Sequence, residues 1–185
     1  MGHKDIVDRQ LAWIAKQDFT RSTDKQIDIF DTTIVILGGL QSAYDLIKSG
    51  KVPHAHTYNK RHVDALLNGA RDVADLVCPV FESPTGIPWF WYDIANGNAS
   101  HTMQSNTAVV GTLILEFHRL SDLTGDSKYR KLADKAESYL IDPQPKPIYP
   151  GLVGSNIDLN TGKFTTNDVA WKSGIDSFYE VGDHL

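Results

Sequence analysis

Residues Phe30 to Leu46 read FDTTIVILGGLQSAYDL, and the periodicity of that stretch decides the fold. Ile34, Leu37, Leu40, Ala43, Tyr44 and Ile47 recur at helical spacing near one face, and Gly50 follows as a stop. The pattern predicts an amphipathic helix. Its Gly38-Gly39 pair costs about 0.5–1 kcal/mol per glycine against alanine, so close packing or a ligand is expected to offset the loss. Asp31 stands at the head of this helix beside Thr32 and Thr33. A carboxylate there is either a plain N-cap or an acid placed near the positive end of the helix dipole.

A second segment, GIDSFYE from Gly174 to Glu180, lies about 145 positions further on and also puts an aspartate at a predicted helix start. Asp176 and Glu180 are four residues apart, hence on one face, with Phe178 and Tyr179 alongside. Two readings stand: a capped helix with a solvated acidic face, or a pocket where carboxylates bind hydroxyls and rings stack on a sugar. Glu116, within LILEFHRL, sits between apolar residues and is either a structural hydrogen bonder or a pocket residue. Carboxylates in apolar settings are costly to bury unless paired or working, so Asp31 and Asp176 are read together as an acid–base apparatus.

Working outward, IVDRQLAWIAKQ carries Leu11, Ile14 and Ala15 at helical spacing. HVDALLNGARDVADLVCP places Val63, Leu66, Leu67, Ala70, Val73, Ala74 and Val77 on a buried stripe closed by Pro79. From Glu82 to Thr107, Gly, Pro, Asn and aromatics mark a long structured loop with a short strand near Pro88 to Ile94. Further helices are expected over Ala108 to Thr124 and through KYRKLADKAESYL, the latter with Tyr129, Leu132, Ala136, Tyr139 and Leu140 facing inward. GLVGSNIDLNTGKFT reads as a β-hairpin turning at Asn160-Thr161-Gly162. Six helices, a hairpin and no βαβ alternation predict an all-α domain with minor β, built from helical hairpins.

Composition bounds the rest. The 185 residues are 41% hydrophobic and 22% charged, enough for one domain with a real core. A net charge of −5 with no Lys/Arg run argues against nucleic acid. MGHKDIVDRQ lacks the apolar centre of a signal peptide, and no stretch approaches the ~20 apolar residues of a membrane span. Asn98-Ala99-Ser100 matches the N-glycosylation pattern as a chance triplet. Cys78 reads as a small buried hydrophobe, and the seven histidines show no zinc spacing.

Taken together, these motifs resemble a known family. FDTTIVILGGLQSAYDL is similar to the FETTIRxLGGLLSAYDL signature of class I α-1,2-mannosidases, glycoside hydrolase family 47. PTGIPW, TLILEFHRLSDLTGD, GLVGSNIDLNTGKF and GIDSFYE follow in that family's order and spacing, and KAESYLIDPQPKP looks most like the secreted fungal members. The resemblance runs from about Ile6 to Glu180. It implies an (α/α)7 barrel that removes α-1,2-linked mannose from high-mannose N-glycans with inversion, in the secretory pathway or outside the cell. It makes Asp31, at the family's proton-donor glutamate, and Asp176 the catalytic carboxylates, and Glu116 and Glu180 substrate-binding acids. It also implies a calcium ion at the barrel floor, whose threonine ligand and the usual base glutamate belong to segments absent from this sequence. Chemically, inversion uses one carboxyl to protonate the leaving oxygen and another to activate water on the opposite face, the two standing ~6.5–9.5 Å apart.

The departures carry expectations too. Asp31 is one methylene shorter than glutamate, and Val35 replaces the signature arginine. Neither the early DALDTL-like segment nor the chain after DSFYE is present; VGDHL stands there instead. Residues 1–185 therefore read as a partial barrel lacking its N- and C-terminal parts, weakly active or inactive alone and prone to self-association through uncovered helix faces. A catalytically silent mannose-binding module using the remaining acids and Trp89, Phe90 and Trp91 is the rival reading, and a helical scaffold a third.

Overall fold

The computed structural model describes residues 3–94, 96–99 and 102–182. Ser100 of the glycosylation-like triplet, His101 and residues 183–185 of VGDHL lie outside them. Six helices are found among the described residues: α1 Lys4–Ile14, α2 over residues 29–48, α3 Lys60–Val77, α4 Thr107–Thr124, α5 Lys128–Ile141 and α6 Asp176–Gly182. Short strands precede or link them: β1 Gln26–Asp28, β2 Trp91–Asp93, β3 Asn98–Ala99, β4 Gln104–Asn106 and β5 Asn156–Asp158.

Helix α2 is built in three parts, an opening turn Ile29–Asp31, a π-helical stretch Thr32–Leu37 and a regular run Gly38–Lys48. The N-cap is Asp28, whose Oδ1 accepts the Asp31 N–H at 3.1 Å. Asp31 is thus inside the first turn, and the reading of it as a plain N-cap gives way to this geometry. Insertions of π-type are rare and cluster at functional sites.

Contacts along the helices fix their directions. Gln41 Nε2 donates to Glu116 O at 3.0 Å, and Asp45 takes both arms of the Arg119 guanidinium at 2.7 and 2.6 Å. Ala108 N–H bonds Gly174 O at 3.0 Å, and Gly111 packs against Phe178. Contacts advance together in both pairs, so α2, α4 and α6 run parallel with α4 in the middle. The other helices return: Gly69 faces Leu40 while Lys48 pairs with Asp64, and His118 pairs with Asp134 while Asp122 pairs with Arg130. These order reversals make α3 antiparallel to α2 and α5 to α4. Parallel inner helices with returning partners form an arc of an α/α barrel.

The core lies between these layers. Leu37, Leu66, Phe117 and Tyr129 are buried, with Phe117 edge-on to Phe81 at 5.4 Å and to Tyr129 at 6.2 Å. Tyr129 Oη donates to Asp75 at 2.8 Å and ties α5 to α3. On α5 the buried positions are Tyr129, Ala133, Ala136, Glu137 and Leu140, so the inward stripe takes Ala133 and Glu137 where Leu132 and Tyr139 were expected; those two are half-buried. Cys78 is half-buried too, its thiol pushed up to about 12 by burial.

Two small sheets sit at the end where the parallel helices begin. One is β1-β2-β3, with Ile27 opposite Tyr92, and the other pairs β4 with β5, Ser105 opposite Ile157. The expected hairpin exists as an Ile157–Phe164 bridge closed by a Gly162 N–H to Asp158 O bond of 2.8 Å, with Gly162 at φ 68. Thr107, buried at the start of α4, donates its hydroxyl to Gly154 O at 2.6 Å and its N–H to Ser155 O at 3.0 Å. The hairpin is thereby bolted to the helix start.

Candidate active site

Extending the helix registers puts Asp31 on α2 and Asp176 on α6 level with the first turn of α4, residues 107–110. They flank α4 from its two sides. Asp31 is exposed; Asp176 is half-buried, and its Oδ1 accepts the Ser177 N–H at 3.0 Å. Glu180 stands one turn after Asp176 and is exposed. Glu116 lies on α4 itself, about 10 Å further along the axis.

Glu116 is set into the packing between helices α2 and α4. Its Oε2 is buried without a hydrogen-bond partner among the described residues, and burial raises its pKa to about 7 from the usual 4.5. The reason lies across the seam, where α2 has Gly38: a Cβ built there would meet Glu116 Oε1 at 3.1 Å and Cγ at 3.5 Å. Close packing therefore accounts for Gly38. It does not account for Gly39, where an added Cβ meets nothing within 4 Å. A carboxyl half protonated near neutral pH can donate or accept a hydrogen bond, which suits a polar ligand.

Asp31 and Val35 share a face of α2, four residues apart, and Val35 is 64% exposed. Ile36 and Leu46 of the same helix and Leu115 of α4 are also exposed. The arginine-to-valine departure thus leaves an apolar side chain in the open beside the candidate acid. Of the aromatics in the rival reading, Trp89 packs against the core, whereas Phe90 and Trp91 meet edge-on at 5.1 Å with Trp91 partly exposed.

Glu137 went unremarked in the sequence. It is 1% exposed, neither carboxylate oxygen has a partner among the described residues, and burial followed by the nearby Asp134 raises it to about 7. Its placement four residues after Ala133 and three before Leu140, both buried, was the available signal. The described residues hold no group of three or more His, Cys, Asp or Glu able to bind a metal. They do not make a calcium cage by themselves.

The chain matches the model of glycosyl hydrolase family 47 over residues 1–181. It is 43% identical over 182 residues to mannosyl-oligosaccharide alpha-1,2-mannosidase 1B of Aspergillus phoenicis, and 42% identical over 183 residues to the mannosyl-oligosaccharide alpha-1,2-mannosidase of Penicillium citrinum. Each alignment covers 97% of this chain and 35% of the relative, so the chain spans about a third of their length. The solved alpha-1,2-mannosidase from Trichoderma reesei superposes with a TM-score of 0.88 at 35% identity, over 97% of this chain and 37% of that one. A family match over nearly every residue and a superposition at a TM-score of 0.88 agree: this chain belongs to glycosyl hydrolase family 47.

Proposed function

We propose that this chain supplies part of the active site of an inverting α-1,2-mannosidase acting on high-mannose N-glycans in the secretory pathway or outside the cell. The observation that carries the reading is the alignment of Asp31 and Asp176 at the common end of three parallel helices, with the uncharged-leaning Glu116 deeper on the middle one. Asp31 protonates the leaving oxygen, directly or through water, while Asp176 acts as the second catalytic carboxylate. Glu116 and Glu180 hold sugar hydroxyls. A calcium ion, where bound, would accept sugar hydroxyl oxygens as ligands, and its protein ligands would come from outside the described residues.

One observation favours the silent mannose-binding alternative. Asp31 is a methylene short, and an exposed Val35 stands where a cation would orient it. The chain on its own is expected to release mannose well below about 1 per second. The decisive experiment substitutes this chain for the corresponding third of the Penicillium citrinum relative and follows mannose release from α-1,2-mannobiose by NMR. The hybrid is expected to release β-mannose, to lose at least a hundredfold with Asp176→Asn, and to gain with Asp31→Glu. Unchanged turnover in both Asp31→Asn and Asp176→Asn hybrids would remove the assignment.

A further inference from the structure

Helix α6 carries Asp176 and Glu180 on only seven residues, Asp176–Gly182, too few to hold a direction without outside contacts. Two adjacent side chains supply them. At about 100° per residue, Phe178 points to the opposite side of the helix from Asp176, while Tyr179 lies beside the acid's face almost one turn on. Phe178 fills a notch at Gly111 of α4: a Cβ built there would fall 2.5 Å from Phe178 Cδ2 and 3.1 Å from Leu140 Cδ1 of α5. The ring packs against the core, and Asp176 is thereby turned away from it.

Tyr179 sets the rotation. Its hydroxyl accepts the Val153 N–H at 3.1 Å and donates to Val153 O at 3.3 Å, so one oxygen serves both backbone polar groups of a buried residue. Trp171 backs the tyrosine ring, centres 5.5 Å apart. The two residues after Val153 hold the start of α4. Gly154 O takes the Thr107 hydroxyl at 2.6 Å, and Ser155 O takes the Thr107 N–H at 3.0 Å. Residues 153–155 therefore tie the first residue of α4 to the ring that flanks Asp176. The Tyr179 hydroxyl is taken up by Val153, so its influence on Asp176 passes through the helix itself.

Resting on the mannosidase reading, we infer that Tyr179 is a positioning residue for Asp176. Its clasp on Val153, with Phe178 seated at Gly111, fixes the rotation of α6 and so the aim of the second catalytic carboxylate. Tyr179 does this without touching the sugar. Reaction geometry is steep, since a misplacement of about 1 Å can cost about a hundredfold in rate. Sugar binding is shared among several side chains and is less sensitive to the turn of one helix.

The test uses the hybrid with the Penicillium citrinum relative and measures kcat and KM on α-1,2-mannobiose for Tyr179→Phe, Asp176→Asn and the double variant. Tyr179→Phe removes one oxygen and is expected to lower kcat at least tenfold with KM within threefold. In the Asp176→Asn background the same change is expected to move kcat by less than threefold, because the group it aims is already gone. A merely structural tyrosine would give the same loss in both backgrounds, and that result overturns the inference. So does a kcat loss of threefold or less in Tyr179→Phe alone while Asp176→Asn loses heavily, which leaves the catalytic reading standing. Unchanged turnover in Asp176→Asn removes that reading and the inference with it. Should the Tyr179→Phe hybrid fail to fold, Phe178→Leu, which loosens the seat at Gly111, decides by the same cycle and the same thresholds.

Discussion

Glu116 rests on Gly38: the carboxylate fills the space a methyl group would take, with Oε1 3.1 Å from the position of a built Cβ. Glycine at 38 thus sets how closely α2 approaches α4, and that approach dehydrates Glu116.

The glycine pair is expected to split under substitution. Gly39→Ala adds a methyl that meets nothing within 4 Å, so helix propensity alone acts and the fold gains about 0.5–1 kcal/mol. Gly38→Ala gains the same propensity but presses on a flexible carboxyl end, and stays within about 1 kcal/mol of wild type. Gly111→Ala has no such freedom, because its Cβ falls 2.5 Å from Phe178 Cδ2 and 3.0 Å from Phe178 Cβ. It is expected to cost about 1–3 kcal/mol by loosening α6 from α4. Urea midpoints of the three variants, at constant slope, check the ranking.

Glu116 and Glu137 make stability depend on pH in one direction. Both titrate near 7 in the fold against 4.5 ordinarily, so between those values the folded chain holds protons that the unfolded chain has released. Their neutral forms are fully accommodated below about pH 4.5, and stability falls as pH rises through 7. Glu137→Gln removes the ionisation and is expected to leave stability at pH 5 nearly unchanged while raising it at pH 8 by roughly 1–3 kcal/mol. Parallel urea titrations at the two pH values measure the difference; an equal effect at both would mean that Glu137 is not the titrating group.

Most of the scaffold was legible because helical periodicity reports burial directly. Of the stripe predicted to be buried, Val63, Leu66, Ala70, Val73, Ala74 and Val77 are, while Leu67 is only partly buried against the core. What escaped was anything decided across elements. The cap on α2 is Asp28 rather than Asp31, a matter of where β1 ends, and the π-helical stretch has no composition signal. Glu137 looks solvated by residue type, yet the crowding of α5 onto its neighbours buries it. The candidate acids stood out in the sequence by their places at helix starts and amid apolar stripes. Their common level on three parallel helices required the contacts between Gln41 and Glu116 and between Ala108 and Gly174.

The Asp45–Arg119 pair shows how little a visible bridge between inner helices need contribute. Its geometry is bidentate, but Arg119 is nearly half exposed, so water and salt compete for both partners. Arg119→Ala is expected to cost under about 1 kcal/mol in low salt and less at 0.5 M NaCl. Thermal midpoints at both salt concentrations test this; a salt-independent loss would point to packing of the arginine stem instead.

Gly154 presents the opposite case. A Cβ there would fall 1.9 Å from the carbonyl oxygen of Thr166 and 2.8 Å from its carbon, and backbone cannot step aside as a carboxyl end can. The same glycine accepts the Thr107 hydroxyl at its carbonyl, so displacing it also strips a buried partner from the start of α4. Gly154→Ala is expected to destabilise the chain by about 3 kcal/mol or more, and to do so by parting residues 153–156 from residues 164–168. Hydrogen exchange would show this as lost protection at Asn156, Thr165 and Thr107 before α2 and α3 are affected. Loss spread evenly over all helices would instead mean that the hairpin and the helical arc unfold as one unit.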